Sequence, residues 1–97
     1  MQLLFEWDPV KAASNLKKHG LDFETAARVF DDPLALSMPD EENADQETRW
    51  ITLGEVGGQK LVVVVHTWRE NRTTTRVRII SARLATRHEE RQYQDGH

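Results

Sequence analysis

The fold is decided by residues 49–69, RWITLGEVGGQKLVVVVHTWR, which predict two strands joined by a tight turn. Apolar and polar residues alternate in RWITLGEV with the period of two that a half-buried strand shows. Gly57 and Gly58 suit a hairpin turn, because glycine readily adopts the positive φ that such turns require. The run LVVVV that follows is continuous, as expected for a central strand covered on both faces. This stretch therefore predicts the middle of an antiparallel sheet.

Further strands and a helix are predicted on both sides of this hairpin. A second turn at Asn71 and Arg72 leads into a strand over residues 73–82. Residues 84–94 have the polar composition of an exposed terminal helix. Near the N-terminus, residues 3–7 alternate as a short strand with one apolar face.

Two short helices are predicted after the first strand. Asp8 is placed as an N-cap with Pro9 at the first helical position, and Gly20 ends this helix. Asp22 caps the second helix, which stops before Pro33. Its buried face is predicted to comprise Phe23, Ala26, Ala27 and Phe30.

The order of these elements predicts the fold class. Residues 34–48 are acidic and form a loop that holds at most a short strand at residues 34–37. The chain is then one α+β domain over residues 1–97, with helices packed on one face of a small curved antiparallel sheet and a helix at the C-terminus. The other face of the sheet is expected to stay partly open.

The amino-acid composition excludes several classes of function. The 97 residues include no cysteine, which excludes disulfides, thiolate metal sites and a cysteine nucleophile. No apolar run approaches the length of a membrane span and the N-terminus lacks the features of a signal peptide, so we expect a cytoplasmic protein. The four histidines lack the spacing of a metal site, and we expect neither a metal nor a cofactor.

Charge is divided unevenly along the chain, although the net charge is only −3. Residues 1–58 carry five Lys/Arg and twelve Asp/Glu, whereas residues 59–94 carry eight Lys/Arg and three Asp/Glu. A basic C-terminal third beside an acidic half suggests a polyanion at one surface and a basic partner at another. Ordinary solvated surface explains the same division equally well.

Three separated motifs resemble the BrnT family. The first is FEWDPVKAASNLKKHGLDFETAARVFDDP over residues 5–33. The second is E-x-R-W over residues 47–50, leading into a strand that ends at Gly54. The third is RVRIISAR over residues 76–83, followed by A-T-R-x-E and Tyr93. The motifs stand in the same order with matching spacing, and the resemblance covers nearly the whole chain.

The resemblance implies a fold similar to the RelE group of toxins and metal-independent endoribonuclease activity that inhibits translation. It also implies neutralisation by BrnA, a ribbon-helix-helix antitoxin, with operator DNA contacted only through that antitoxin, and it is compatible with a dimer within the complex. Two positions depart from the family pattern. Asn43-Ala44 stands where many relatives have His-Ser, and Glu90 stands where Arg is common.

Metal-independent RNA cleavage needs cations at the scissile phosphate, a base for the 2′-hydroxyl and an acid for the leaving oxygen. Because side chains alternate along a strand, Arg76 and Arg78 are predicted to share the open face and bind phosphate. Arg83, Arg87 and Arg91 are spaced four residues apart and would form a basic stripe if the terminal helix begins near Arg83. Surface salt bridges are the alternative for both sets.

Candidates for proton transfer are fewer. His19 follows Lys18 at a helix C-terminus, which favours a cation that could act as general acid, although a helix cap is the simpler explanation. Glu89 is a candidate base, or else part of a solvated helix. The predicted catalytic residues are His19, Arg78, Arg83 and Glu89, and the predicted RNA contacts are Lys18, Arg69, Arg76, Arg87 and Arg91.

Other conspicuous residues are expected to be structural. His66 lies in the apolar central strand, where a histidine is usually a hydrogen-bonded core residue. Tyr93 could stack on a base, but a lone aromatic near a C-terminus usually anchors its helix. Without a clear acid–base pair, a non-catalytic or degenerate toxin that only captures the antitoxin and assists repression is the alternative function.

Overall fold

The fold is a five-stranded sheet with helices on both faces, in a computed structural model that describes residues 2–40, 48–58 and 60–96. The strands are β1 (Gln2–Glu6), β2 (Leu36–Asp40), β3 (Arg49–Val56), β4 (Lys60–Glu70) and β5 (Thr74–Leu84). The α-helices are α1 (Pro9–His19), α2 (Phe23–Ala26) and α3 (Arg87–Asp95), and a 3₁₀ helix spans Ala27–Asp31. No helix in these ranges is long and apolar enough to cross a membrane.

The sheet is mixed rather than antiparallel. Its order is β1-β5-β4-β3-β2, and the four strands β2 to β5 are antiparallel to their neighbours. β1 instead runs parallel to β5, from Gln2 opposite Thr74 to Glu6 opposite Arg78. The prediction of an antiparallel sheet was wrong for this strand, because alternation of side chains identifies a strand without identifying its partner or direction.

Local sequence signals formed the elements that they predicted. β3 spans Arg49–Val56, and the turn after it places Gly57 and Gly58 at φ of 67° and 78°. Asp8 caps α1 by accepting a hydrogen bond from Val10 N at 2.8 Å. α2 is short because the chain continues directly as the 3₁₀ helix. The 3₁₀ helix packs against the sheet at Gly54. A Cβ atom there would lie 3.0 Å from Val29 Cβ.

Each face of the sheet has its own apolar cluster. The larger cluster packs the sheet against α2 and the 3₁₀ helix, and includes Phe23, Ala26, Val29, Val62, Val64, Val77 and Ile79. On the opposite face, Tyr93 of α3 packs against the paired residues Leu53 and Val63. The prediction that the helices share one face was therefore wrong for α3. The sequence of α3 has one buried aromatic residue, and this does not specify which face of the sheet the helix covers. α3 covers one end of this face.

The boundary between β5 and α3 also differs from the prediction. Thr86 caps α3, and its hydroxyl and the Glu89 side chain form a reciprocal capping box, so the helix begins at Arg87 instead of residue 84. Arg83 belongs to β5, where it pairs with Val63. A basic stripe along one helix from Arg83 was consequently a wrong prediction. Similarly, the short strand β2 lies two residues later than predicted.

Candidate nucleic-acid interface

The face that α3 leaves partly open carries a row of polar side chains across all five strands. The row comprises Glu6 on β1, Arg78 on β5, Thr67 on β4, Arg49 on β3 and Asp40 on β2, each paired with the next. Paired residues of neighbouring strands project from the same face. Two arginines therefore flank a threonine hydroxyl in the middle of the sheet.

A second pair of arginines extends this row into a basic cavity. Arg69 on β4 pairs with Arg76 on β5. These two residues line a cavity of about 400 Å³ together with Glu6, Thr67 and Arg78. Arg76 Nη1 lies 3.7 Å from Glu6 Oε2, and both side chains are about half exposed. With three guanidinium groups and one carboxylate, the lining is positively charged and suits bidentate contacts to phosphate.

A β-bulge extends the open face along β5 beyond the arginines. The register of β5 against β4 shifts by one residue at Ile80. Arg78 pairs with Thr67, and Ser81 pairs with Val65. Val65 and Thr67 are two residues apart on β4, so their side chains project from the same face of the sheet. In a regular strand, Arg78 and Ser81 would face opposite sides, since they are three residues apart. The bulge instead places both on the open face.

α1 and β5 line a second, smaller basic cavity beside Ser81, which is shallow and widely open to solvent. Its volume is about 200 Å³. α1 contributes Lys11, Ser14, Asn15, Lys18 and His19 to its lining, and β5 contributes Ile80 and Ser81. Lys18 and His19 thus lie in this cavity, whereas Arg76 and Arg78 line the larger one. The structure does not bring His19 together with the arginines with which it was grouped.

Arg83 and Glu89 form a bidentate ion pair between β5 and α3. Arg83 Nη1 and Nη2 donate to Glu89 Oε1 and Oε2 at 2.8 and 2.9 Å. Glu89 Oε1 also accepts from the Thr86 N–H at 2.9 Å. The hydrogen bonds from Arg83 hold the pKa of Glu89 at about 2, and the same pair raises the pKa of Arg83. A carboxylate with so low a pKa is a weak proton acceptor at neutral pH.

The predicted site residues are consequently distributed over several places. Arg87 and Arg91 are exposed one turn apart on α3. Arg69, Arg76 and Arg78 share the larger cavity. The four residues predicted to be catalytic occupy three positions: Arg78 in the larger cavity, His19 in the smaller one, and Arg83 with Glu89 at the start of α3.

No site role was predicted for Glu6, Thr67 or Arg49. Each of them reaches the open face through the pairing of strands that are distant in sequence. Alternation of side chains gave a partial signal. Thr67 follows His66 and Arg49 precedes Trp50, so alternation places Thr67 and Arg49 on the face opposite to these two neighbours. Alternation does not give the order of the strands in the sheet, and this order is what places these residues beside Arg78.

The two residues expected to be structural are so. His66 is buried on the face opposite the arginines, and its Nδ1 donates to Thr67 O at 3.0 Å. This bond leaves Nε2 to accept from Thr52 Oγ1 at 2.7 Å. Burial lowers the pKa of His66, which favours the neutral ring. Tyr93 is buried against the sheet, and its hydroxyl donates to Asp32 Oδ2 at 2.6 Å.

The fold and the basic sheet face define a small α+β protein with a surface suited to a polyanion. A family model described as "Ribonuclease toxin, BrnT, of type II toxin-antitoxin system" matches residues 7–89. The chain belongs to this family of ribonuclease toxins, whose systems pair each toxin with an antitoxin.

A solved structure supports the same assignment. The chain is similar to the 1.1 Å crystal structure of the Brucella abortus ribonuclease toxin BrnT, with a TM-score of 0.64 and 26% sequence identity. The similarity covers 90% of this chain and 100% of that one. A comparison with curated protein sequences finds no significant match. Of the positions that depart from the family pattern, Asn43 and Ala44 lie outside the described residues, and Glu90 is exposed on α3.

Proposed function

We propose that the protein is an endoribonuclease toxin of the RelE-like group, which cleaves RNA without a metal ion and inhibits translation in the cytoplasm. The observation that carries this proposal is the arginine-rich open face, where Arg49 and Arg78 flank Thr67 and where Arg69 and Arg76 lie beside them. Such a cluster supplies the charge that a phosphodiester backbone requires. It also supplies preorganised donors for charge that develops during cleavage.

The scissile phosphate is placed in the larger cavity, at Arg76 and Arg78. The 2′-oxygen forms a bond to phosphorus while the bond from phosphorus to the 5′-oxygen breaks, which yields a 2′,3′-cyclic phosphate and a 5′-hydroxyl. Glu6 lines this cavity and is the proposed acceptor of the 2′-hydroxyl proton. The predicted role of His19 as proton donor does not fit this placement, because His19 lines the other cavity while the leaving oxygen is bonded to the phosphorus at Arg76 and Arg78. Water is the proposed proton donor to the leaving oxygen.

The remaining predicted residues have supporting roles in this proposal. Arg83 is proposed to bind a phosphate that flanks the scissile one, because its partner Val63 is four residues along β4 from Thr67, the partner of Arg78. Glu89 is a positioning residue that orients the Arg83 guanidinium through two hydrogen bonds. This role replaces the one of general base for Glu89, because its pKa of about 2 disfavours proton uptake. The proposed contacts to flanking phosphates are Lys18, Arg69, Arg87 and Arg91.

The antitoxin of this system is proposed to be a BrnA-type ribbon-helix-helix protein. Family membership supports this partner, because the family is defined within type II toxin–antitoxin systems. Operator DNA would be contacted through the antitoxin, whose DNA-binding fold suits that task, and the toxin would form a dimer within the complex.

Cleavage of a defined RNA by the purified protein tests the catalytic proposal. Arg78→Ala should lower the cleavage rate by about 10²–10³-fold, because it removes a donor to transition-state charge. Arg72→Ala is the matched control, since Arg72 is exposed in the β4–β5 turn and is not among the residues that line the cavity. Full activity in excess EDTA and a 2′,3′-cyclic phosphate end are also expected. Equal rates for both variants would contradict the placement of the scissile phosphate.

The alternative function is a binding module without activity. The separation of His19, Arg78 and the Arg83–Glu89 pair into three places favours it. Induction of the chain with and without its adjacent open reading frame distinguishes the two functions. A toxin should arrest growth and degrade RNA until the neighbour is co-expressed. A binding module should leave growth and RNA intact and still capture the antitoxin, including as the Arg78→Ala variant.

A further inference from the structure

We propose that the smaller cavity between α1 and β5 is a second phosphate subsite, which binds the RNA backbone beside the cleaved linkage. This inference rests on the proposed function, since it assigns a path to the same RNA substrate. The RNA would run along β5 from the cavity of Arg78 to the cavity of Lys11 and Lys18.

The lining of the smaller cavity has the donors that phosphate accepts. Lys11, Ser14 and Lys18 follow one another at helical spacing, so one side of α1 presents two ammonium groups and a hydroxyl to the cavity. Ser81 adds a hydroxyl from β5. The described lining contains no carboxylate, and its one aromatic ring is the imidazole of His19, beside two lysines and two serines. A phosphate therefore fits this lining better than a nucleobase.

Lys11 and Lys18 are exposed and have no ion-pair partner among the described residues. Both side chains belong to exposed residues of α1. Among the residues that the structure describes, no carboxylate forms an ion pair with Lys11 or Lys18. In the larger cavity, by contrast, Arg76 lies near Glu6. An incoming phosphate would therefore not have to displace a carboxylate of the described residues from either lysine.

The bulge in β5 connects the two cavities. Arg78 and Ser81 share the open face because of the extra residue at Ile80. Their Cα atoms are separated by at most about 10 Å, from a rise of about 3.3 Å per residue. An extended RNA strand can bridge this distance between neighbouring or next-neighbouring phosphates. An acidic segment of the antitoxin could also be attracted by two lysines, and the experiment below separates that occupant from RNA.

The test measures binding of a 2′-O-methyl RNA 12-mer, which cannot be cleaved because its 2′-oxygens are blocked. Fluorescence anisotropy at several salt concentrations gives the slope of log Kobs against log salt concentration. Lys11→Ala/Lys18→Ala should make this slope less negative by at least about 0.7, the value for one phosphate contact on a single strand. Lys17→Ala/Lys60→Ala removes the same charge outside both cavities and should retain the wild-type slope.

The outcomes separate this proposal from the proposed function. If the slope of Lys11→Ala/Lys18→Ala equals that of Lys17→Ala/Lys60→Ala while Arg78→Ala still lowers the cleavage rate, the subsite is wrong and the ribonuclease stands. If Lys11→Ala/Lys18→Ala instead weakens only antitoxin binding, the cavity belongs to the partner and the proposal is overturned. If the wild type binds no RNA, both proposals fail. Thermal unfolding of each variant checks that the exposed substitutions leave the fold intact.

Discussion

The side chain of Asn15 is hydrogen-bonded to both backbone groups of Ala82. Asn15 Nδ2 donates to Ala82 O at 2.9 Å, and Asn15 Oδ1 accepts from Ala82 N at 3.1 Å. Nδ2 also donates to Leu21 O at 3.0 Å. β1 pairs with β5 only as far as Arg78. Beyond that point, the Asn15 carboxamide makes the hydrogen bonds to Ala82 that a neighbouring strand would otherwise make. It thereby fixes α1, and with it the smaller cavity, to the edge of the sheet.

Asn15→Ala should destabilise the protein by about 2–4 kcal/mol, because it leaves the buried N–H and C=O of Ala82 without a partner. Asn15→Asp should cost at least as much at pH 7, since a carboxylate cannot donate to the oxygens of Ala82 and Leu21. Urea denaturation measures both changes. Ser14→Ala, at the exposed neighbouring position, should stay within about 0.5 kcal/mol of wild type. A similar small effect for Asn15→Ala would refute the structural role.

His66 should make the folded state sensitive to mild acid. Its pKa is lowered by burial, so below its usual value of 6.5 the unfolded chain binds a proton that the folded chain resists. Stability is therefore retained above pH 6.5 and declines as the pH falls from there toward the folded-state pKa. Imidazole NMR signals should show His66 titrating below 6.5. A His66 midpoint at or above 6.5 would contradict the buried, neutral assignment.

Tyr93 is the single tyrosine of the chain, so alkaline absorbance titration of tyrosinate reports on this residue alone. The hydrogen bond to Asp32, with burial, raises the pKa of Tyr93 to about 12 from its usual 10. Its stabilising contribution is complete below pH 10 and is lost as the pH rises toward about 12. Asp32→Asn should move the midpoint back toward 10, whereas Asp31→Asn should not. An unchanged midpoint in Asp32→Asn would show that the carboxylate is not the cause.

The Arg83–Glu89 pair should contribute modestly to stability, because the two side chains are 42% and 20% exposed. Glu89→Gln is expected to cost about 1 kcal/mol, as is removal of the cap by Thr86→Ala. The contribution of Glu89 is present above its usual pKa of 4.5 and is lost as the pH falls toward about 2. Glu90→Gln, at an exposed neighbour, is the control for chemical denaturation. If Glu90→Gln costs as much as Glu89→Gln, the pair adds no stability.

The same variant separates two roles of Glu89 in the proposed reaction. A positioning residue should leave measurable cleavage in Glu89→Gln and an unchanged pH–rate profile, because the amide still accepts one hydrogen bond from Arg83. A general base should lose most activity together with the acidic limb of the profile. The second result would restore the role that the sequence suggested and overturn the positioning assignment.

Much of the fold could be predicted because its signals are local. The turn glycines, the caps at Asp8 and Asp22 and the alternation in β3 act within a few residues of the structure that they form. The helix boundary at Arg87 was missed although its signal is local too. The pattern T-x-x-E from Thr86 to Glu89 is a capping box, and residues 84–94 were interpreted from their polar composition instead.

The amino-acid sequence by itself determined the strands of the central hairpin, the caps and the placement of Arg76 and Arg78 on one face of their strand. Only the tertiary structure decided that β1 lies parallel to β5, that Arg49 and Glu6 join the same row, and that His19 and Arg78 line different cavities. Local patterns arise from hydrogen bonds and side-chain periodicity over a few residues. Partner choice, strand direction and the bulge at Ile80 depend instead on packing between segments that are distant in sequence, which periodicity does not encode.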